Sequence, residues 1–233
     1  IYLLYSPKDT GMDEYSEVVL WLNDHANSHS AEGMRRFGIS SGKILGISVV
    51  NLRRYAKTLG KDQGLSVLLW NTGIHEARIL ASMTADPACA DDALLESWVL
   101  DLDSWDVCDQ VCKNFFAHCS GTQERAVRWC SREEEFVRRA GFVLICEMAI
   151  HHKDMPDQAF LLYLDLIRRY STDDRNFVKK AVNWALREIG KRRHSISREC
   201  LDLSDELAVS ENPTARWIGR NAGQELRDKM KKK

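Results

Sequence analysis

Two tryptophans in this sequence stand near charged residues at helical spacing, and the first, Trp105, is followed four residues later by Asp109. That spacing places both side chains one turn apart on the same face of a helix. A tryptophan face attracts a cation, and a neighbouring carboxylate strengthens the attraction. The pair therefore indicates a site for a positively charged group. The alternative is an edge tryptophan that packs on a neighbouring helix, with Asp109 solvated beside it.

The helix that carries this pair is predicted over residues 103–116, where Asp103 or Ser104 can cap the first free N–H groups. At 100° per residue, two faces of this helix separate. The first is an ordinary core stripe, made of Val107, Cys108, Val111 and Phe115. The second carries Trp105, Asp109, Cys112 and Phe116.

The second tryptophan, Trp184, lies in a helix predicted over residues 176–190 and ended by Gly190. It stands off the core stripe of that helix, which consists of Val178, Val182, Ala185 and Ile189. The side of the helix that holds Trp184 also carries Lys180, Arg187 and Lys191. Residues 175–193 include seven basic residues and one acid. An aromatic ring among cations is typical of a surface that binds phosphates and touches a sugar or base. A solvated basic face with a packing tryptophan is the alternative.

The elements that position these residues are predicted to be helices throughout, because no segment shows sustained period-two alternation. About a dozen helices alternate with short loops, and helix pairs recur about every 35–45 residues. This spacing favours an all-α fold, a curved α-solenoid of HEAT-like repeats. A globular helical bundle is the alternative. Residues 132–151 are apolar on nearly all sides and are predicted to form a buried helix.

The composition is that of a globular protein, with 233 residues, 44% hydrophobic, and a formal net charge of −1. The charge is uneven, since residues 1–120 hold 10 Lys and Arg against 16 Asp and Glu, and residues 121–233 hold 23 against 18. Such asymmetry indicates an oriented electrostatic field.

Several classes of function are not supported by the sequence. The seven cysteines include no CxxC pair, which favours a reduced, cytoplasmic protein. The glycines of Ser40–Gly46 match no phosphate-binding loop. Adjacent His151 and His152 point to different faces of a helix, and no other metal-ligand spacing is present. We expect no metal, no cofactor and, because no run of about 18 apolar residues exists, no membrane span.

Over roughly residues 31–192 the sequence resembles the AlkD-like DNA alkylation repair glycosylases, whose fold is a curved stack of HEAT-like repeats. Four segments carry the resemblance: Leu69-Trp70-Asn71 with Glu76-Ala77-Arg78; Ser104-Trp105-Asp106-Val107-Cys108-Asp109; Phe136-Val137-Arg138-Arg139-Ala140; and Phe177-Val178-Lys179-Lys180-Ala181-Val182-Asn183-Trp184-Ala185-Leu186-Arg187-Glu188. The last segment is the most specific, and the W-D-x-x-D segment is next.

The resemblance implies catalytic roles for Asp109, Trp105 and Trp184, which match the family's carboxylate and its two cleft tryptophans. It implies a DNA-binding role for Arg139 and places Phe37 where the family has a cleft tyrosine. A tryptophan that can precede the first cleft tryptophan is replaced by Ser104. From the helix-face argument, we add the DNA-binding candidates Lys180 and Arg187.

The activity that the resemblance implies is hydrolysis of the N-glycosidic bond of cationic N3- or N7-alkylated purines, such as 3-methyladenine and 7-methylguanine. The family acts on double-stranded DNA, leaves the lesion stacked rather than flipping it, and produces an abasic site. No Schiff-base lysine motif is present, so a monofunctional enzyme is expected. A non-catalytic helical-repeat scaffold that binds DNA or protein is the alternative.

We expect an N-terminal helix in residues 1–30 and a single repeat domain over residues 31–230. Residues 1–30 also include a possible fragment end, since the chain lacks an initiator Met. We expect a monomer whose partner is duplex DNA with alkylated bases. A cytoplasmic location is expected, associated with the nucleoid if the source is bacterial.

Overall fold

The computed structural model describes residues 13–39 and 42–231, and these residues form the predicted all-α fold. Besides the helices, an isolated parallel bridge joins Lys43 to Ile74. Residues 1–12, which belong to the predicted N-terminal segment, residues 40–41 and residues 232–233 lie outside the described residues.

The chain divides into two compact units, Ile1–Asp86 and Pro87–Lys233. The described part of the first unit contains the helices α1 (Glu14–Asp24), α2 (Ser28–Arg36), α3 (Val49–Leu59), α4 (Gln63–Asn71) and α5 (His75–Thr84). That of the second contains α6 (Asp92–Leu100), α7 (Trp105–Asn114), α8 (Thr122–Cys130), α9 (Glu135–His151), α10 (Leu161–Tyr170), α11 (Asn176–Arg192), α12 (Ser197–Ala208) and α13 (Pro213–Lys231). The predicted division into residues 1–30 and 31–230 stays a prediction.

In the first unit, α3 and α4 both pack against α5, and a buried carboxylate on α5 binds the segment that precedes α3. Glu76 on α5 is fully buried and accepts hydrogen bonds from the backbone N–H groups of Leu45 (2.8 Å) and Gly46 (2.6 Å). These charge-assisted bonds fix the segment that precedes α3. Gly46 has a φ of +82°, and a Cβ there would lie 2.1 Å from the carbonyl oxygen of Asn27, so only glycine fits.

The second unit has two layers of helices. Helices α7, α9, α11 and α13 lie side by side in one layer, which we call the inner layer. In the other layer, Glu96 of α6 accepts hydrogen bonds from Arg128 and Trp129 of α8, and Arg168 of α10 donates to Glu206 of α12. Helix α9 is buried on most of its surface, as predicted, and contacts α6, α7, α8 and α11.

A constant sequence offset relates neighbouring helix pairs in the part of the second unit from α9 to α13. The hydrogen-bonded pairs Arg139–Phe177, Asp157–Ser195, Arg168–Glu206 and Asn183–Asn221 are each 38 residues apart. Equivalent contacts at one offset mean that the same helix-pair geometry recurs. The predicted spacing of 35–45 residues therefore holds from α9 to α13, whereas bonds from α6 to α8 and from α7 to α9 join residues 28–33 positions apart.

Some predicted helix ends were wrong by two or more residues. Helix α11 continues to Arg192 instead of ending at Gly190. A Cβ at Gly190 would lie 2.7 Å from Leu226 Cδ2 and 3.1 Å from Cys200 Cβ, so this glycine permits close packing of α12 and α13 on α11. The helix predicted over residues 132–151 begins at Glu135, and a 3-10 turn, Asp157–Phe160, precedes α10.

None of the helices in the described residues is long and apolar enough to cross a membrane.

Candidate active site

Helix α7 presents Trp105 and Asp109 from its first two turns. Ser104 is the N-cap, as predicted, but its hydroxyl donates to Asp106 Oδ1 (2.8 Å) and does not cap the helix N–H groups. The core stripe predicted for this helix is fully buried, and so are Cys112 and Phe116, which were predicted on the second face. What remains partly accessible on that second face is Trp105 and Asp109, which are both half-buried.

Asp109 forms a two-point ion pair with Arg139 of α9. Arg139 Nε donates to Asp109 Oδ1 at 3.0 Å, and Nη2 donates to Oδ2 at 2.8 Å. The side chain of Arg139 is 6% exposed and that of Asp109 is 20% exposed. A bidentate pair of this kind fixes the plane of the carboxylate as well as its position.

The same arginine continues to the next helix of the inner layer. Its Nη1 donates to the carbonyl oxygen of Phe177 on α11 at 2.6 Å. The rings of Phe136 and Phe177 pack against each other, with centroids 5.7 Å apart. The thiols of Cys108 and Cys112 on α7 donate to backbone carbonyls of α9. Helices α7, α9 and α11 are thus joined by polar contacts around Asp109.

Burial and the charge of the partner shift the pKa values of Asp109 and Arg139 in opposite directions. Burial raises the pKa of Asp109, the charge and hydrogen bonds of Arg139 oppose that increase, and Asp106 adds to it. Burial by itself would lower the pKa of Arg139, but the carboxylate of Asp109 raises it, so the guanidinium stays charged. Without Arg139, burial would favour the protonated, uncharged form of Asp109.

Trp184 and Lys180 lie on the accessible side of α11. Trp184 is half-buried between the buried residues Asn183 and Ala185, and Lys180, one turn earlier, is exposed. The predicted core stripe of this helix is fully buried. The assignment of Trp184 to a different side from the core is therefore correct.

Arg187, the other cation proposed for DNA binding on α11, forms an ion pair with Glu225 of α13. Lys191 also contacts Glu225, at 2.8 Å. Burial alone would raise the pKa of Glu225, but hydrogen bonds from Lys191 and Arg187 lower it. The sequence argument considered α11 in isolation and could not identify this partner on another helix.

The sequence argument did not identify Glu147, a buried acid on α9. Burial raises its pKa to about 7; Lys113 opposes the increase, while Asp109 and Glu188 add to it. His151 Nε2 lies 3.4 Å from its carboxylate. The signal that could have revealed it is a lone acid in the interior of a helix that is apolar on nearly all sides.

Phe37 belongs to the first unit. It stands at the C-cap of α2 and is 77% exposed, although a phenylalanine is normally buried. Its assignment to the cleft that contains Asp109 stays a prediction.

No group of three or more His, Cys, Asp or Glu side chains that could hold a metal ion occurs in the described residues. The seven cysteines are free thiols. His151 ends α9 and His152 is its C-cap, as expected for a pair at a helix end.

Comparison with known proteins gives two findings. Residues 19–226 match a family described as DNA alkylation repair enzyme. One similar solved structure comes from a new family of proteins related to the HEAT-like repeat DNA glycosylases, with affinity for branched DNA structures. It has a TM-score of 0.78 and 16% sequence identity, with 95% of each chain covered. This likeness confirms the helical-repeat fold. No protein of curated function matches the sequence significantly.

Proposed function

We propose a function from the premise that the chain belongs to the DNA alkylation repair enzyme family: it is a monofunctional glycosylase for cationic alkylpurines in duplex DNA. Its substrates are purines alkylated at N3 or N7, such as 3-methyladenine and 7-methylguanine. The observation that carries the proposal is Asp109, a carboxylate held in a fixed orientation by Arg139 and one helical turn from Trp105.

The proposed reaction needs no strong general acid, because the alkylated base is already cationic. When the glycosidic bond breaks, its electron pair goes to the base, which leaves as a neutral purine. Positive charge then develops on the deoxyribose, and a water molecule attacks C1′ and gives up a proton to the solvent. The product is an abasic site.

Asp109 stabilises the sugar cation and orients the attacking water. Opposite charges about 4 Å apart attract by roughly 4 kcal/mol at an effective dielectric constant of about 20. That energy corresponds to about 10³ in rate, and the adjacent Arg139 charge reduces it. Arg139 contributes by keeping Asp109 ionised and by fixing its plane. Each carboxylate oxygen has a second lone pair that can face the sugar or the water.

Trp105 and Trp184 are proposed to contact the sugar and backbone. A tryptophan face attracts a cation more than a neutral group, so it favours the transition state over the ground state. Lys180 binds a phosphate, with Arg187 and Arg139 as further candidates, and Phe37 supplies an aromatic contact. The lesion stays in the helical stack, which matches a set of surface residues rather than a deep base-binding pocket.

A second candidate function is DNA binding without catalysis. Both oxygens of Asp109 are engaged by Arg139, and a catalytic carboxylate must give part of its charge to the substrate. The similar solved structure comes from proteins described by affinity for branched DNA structures. A scaffold of this kind needs DNA contacts but no oriented acid.

The test is the release of free base from methylated duplex DNA. We expect the wild-type protein to release 7-methylguanine and 3-methyladenine as intact purines and to leave abasic sites, and the Asp109→Asn variant to release neither. Salt-sensitive DNA binding without release by the wild type would reject the glycosylase and support the scaffold.

A further inference from the structure

Trp217 is an exposed tryptophan whose position the proposed reaction does not use. Trp217 is 40% exposed, whereas Trp70, Trp98 and Trp129 are at most 2% exposed. Leaving so large an apolar side chain in solvent forfeits the free energy that its burial would provide. An exposed tryptophan on a rigid helix is typical of a binding site.

The ring lines an open cavity of about 520 Å³ on α13. The cavity is bordered by Pro213, Arg216, Trp217, Arg220, Asn221 and Gln224. Lys179 of α11 lies over the ring, with Nζ 5.2 Å from the centroid. The ring therefore has a cation near its centroid and also borders an open cavity.

The cavity continues the surface of α11 that carries Lys180 and Trp184. Asn183 Nδ2 donates to Asn221 Oδ1 at 2.7 Å, one turn along both helices from the contact between Lys179 and Trp217. These contacts align α11 and α13 side by side. By helical spacing, the outward side of α11 then adjoins the outward side of α13.

The charges around the ring favour an anion. Arg220 is exposed, and no acid pairs with it in the described part of the chain. Arg216 donates to the carbonyl oxygens of Ser210 and Glu211, just before α13, so part of its hydrogen-bonding capacity is already used. The nearby acids are also engaged, Glu225 by Arg187 and Lys191, and Asp228 by Gln224.

We propose that the Trp217 cavity binds an unpaired nucleotide of DNA, with the base stacked on the Trp217 ring and the adjacent phosphates near Lys179 and Arg220. This inference rests on the proposed binding of DNA. Bases in a duplex are stacked on both faces and present only their edges, so a tryptophan face can stack only on a base that has left the helix. Stacking of single-stranded bases on aromatic side chains in a basic groove is independent of sequence.

The consequence is a preference for duplexes that carry a single-stranded segment, such as a flap. The duplex part lies on the inner layer beside Lys180 and Trp184, and the unpaired segment reaches α13. The site then makes the affinity of the protein depend on the single-stranded segment of the DNA as well as on the alkylated base.

The experiment compares two fluorescein-labelled DNAs with the same duplex sequence, one with a single-stranded flap and one without. Binding is measured by fluorescence anisotropy, and 7-methylguanine release by the wild type is measured on the duplex in parallel. We expect the wild type to bind the flap DNA more tightly. Trp217→Ala should lower the ratio of flap to duplex affinity about tenfold, since one stacked base contributes about 1–3 kcal/mol.

Two further variants separate stacking from general damage to the fold. Trp217→Phe keeps an aromatic ring and should retain most of the preference for the flap. Leu162→Ala removes another exposed apolar side chain, 54% exposed on α10 in the other layer, and should leave the ratio unchanged. Circular dichroism melting verifies that all variants are folded.

The outcomes distinguish this inference from the proposed function. Equal affinity of the wild type for both DNAs, or an unchanged ratio in Trp217→Ala, overturns the inference whether or not the base is released. A flap preference that depends on Trp217 in a protein that releases no base supports the inference and rejects the glycosylase.

Discussion

Asp109 and Arg139 form the buried ion pair on which the proposed chemistry depends. The carboxylate has to be ionised to stabilise a sugar cation, while burial raises its pKa. Arg139 supplies the opposing charge through two hydrogen bonds. The arginine therefore acts through the acid, in addition to any contact that it makes with DNA.

Removal of that charge should change the pH dependence of the reaction. In Arg139→Gln, the pKa of Asp109 rises further above its usual value of about 3.9, so the acid limb of the rate profile moves to higher pH. Stability at neutral pH should fall by about 3 kcal/mol, because Asp109 must either keep a poorly solvated charge without its partner or take up a proton. The check is a pH profile of single-turnover base release, with thermal unfolding in parallel.

Arg139→Lys is the matched control, because it keeps the charge but loses the two-point geometry. It should keep the acid limb close to that of the wild type and lower the rate at every pH. An acid limb in Arg139→Gln at the wild-type pH would contradict the role assigned to Arg139.

Glu147 gives a second prediction, which concerns stability. Its pKa is about 7 in the folded protein and about 4.5 in the unfolded chain, so the folded state holds a proton that the unfolded state has lost between these pH values. Stability therefore decreases as pH rises from 4.5 through 7. The difference between these two pKa values corresponds to about 3 kcal/mol.

The Glu147→Gln variant should lose this contribution to the pH dependence. We expect the unfolding free energy of the variant minus that of the wild type to be about 3 kcal/mol larger at pH 8 than at pH 4.5, because only the wild type loses stability over this range. Chemical denaturation at the two pH values measures this difference. Glu211→Gln, at an exposed position, is the control, and a relative stability of Glu147→Gln that does not change with pH would show that folding does not raise the pKa of Glu147.

Sequence spacing could predict which residues share a helix face, but not which residues meet across helices. Trp105 with Asp109, and Trp184 with Lys180, were placed correctly because their relation is local. The bond between Asp109 and Arg139 joins residues 30 positions apart on different helices, and nothing in the local pattern encodes it. Glu147 was missed for the same reason, since its pKa depends on its burial and on charges of α7 and α11.

At the scale of the element, α11 carries Lys180, Trp184 and Arg187, three of the residues proposed to contact DNA. Its core stripe, its accessible tryptophan and its exposed Lys180 were predicted from the 3.6-residue period. Its C-terminal end was not, since Gly190 serves close packing against Leu226 rather than termination. The pairing of Arg187 with Glu225 also depends on a helix 38 residues later.

This difference between Lys180 and Arg187 can be measured on DNA. Lys180→Gln should reduce the slope of log affinity against log salt by about one, because each phosphate contact releases about one counterion. Arg187→Gln should reduce it by less, because a phosphate has to compete with Glu225 for the guanidinium. Equal reductions in both variants would show that the ion pair opens when DNA binds.

At the scale of the whole molecule, the all-α repeat fold could be predicted because it follows from periodicity and helix-pair spacing alone. The family match over residues 19–226 confirms the resemblance that the sequence motifs indicated. The division of the chain at Asp86 and Pro87 could not be predicted, because compact units depend on which helices contact one another.

The proposed mechanism also restricts which lesions the protein can release. A cationic base leaves without protonation, but a neutral damaged base needs a general acid, and the carboxylate of Asp109 is paired as an anion. We expect release of 7-methylguanine and no detectable release of hypoxanthine or 8-oxoguanine from otherwise identical duplexes. Comparable rates for the neutral bases would indicate a general acid that this account does not contain.

The most direct test of the central claim is the single-turnover rate of 7-methylguanine release by Asp109→Asn at saturating protein. The account predicts DNA affinity near that of the wild type and a rate at least about 100-fold lower, because the variant keeps the shape of the side chain and loses the charge that stabilises the sugar cation. Release at the wild-type rate would contradict the assignment of Asp109 as the catalytic carboxylate.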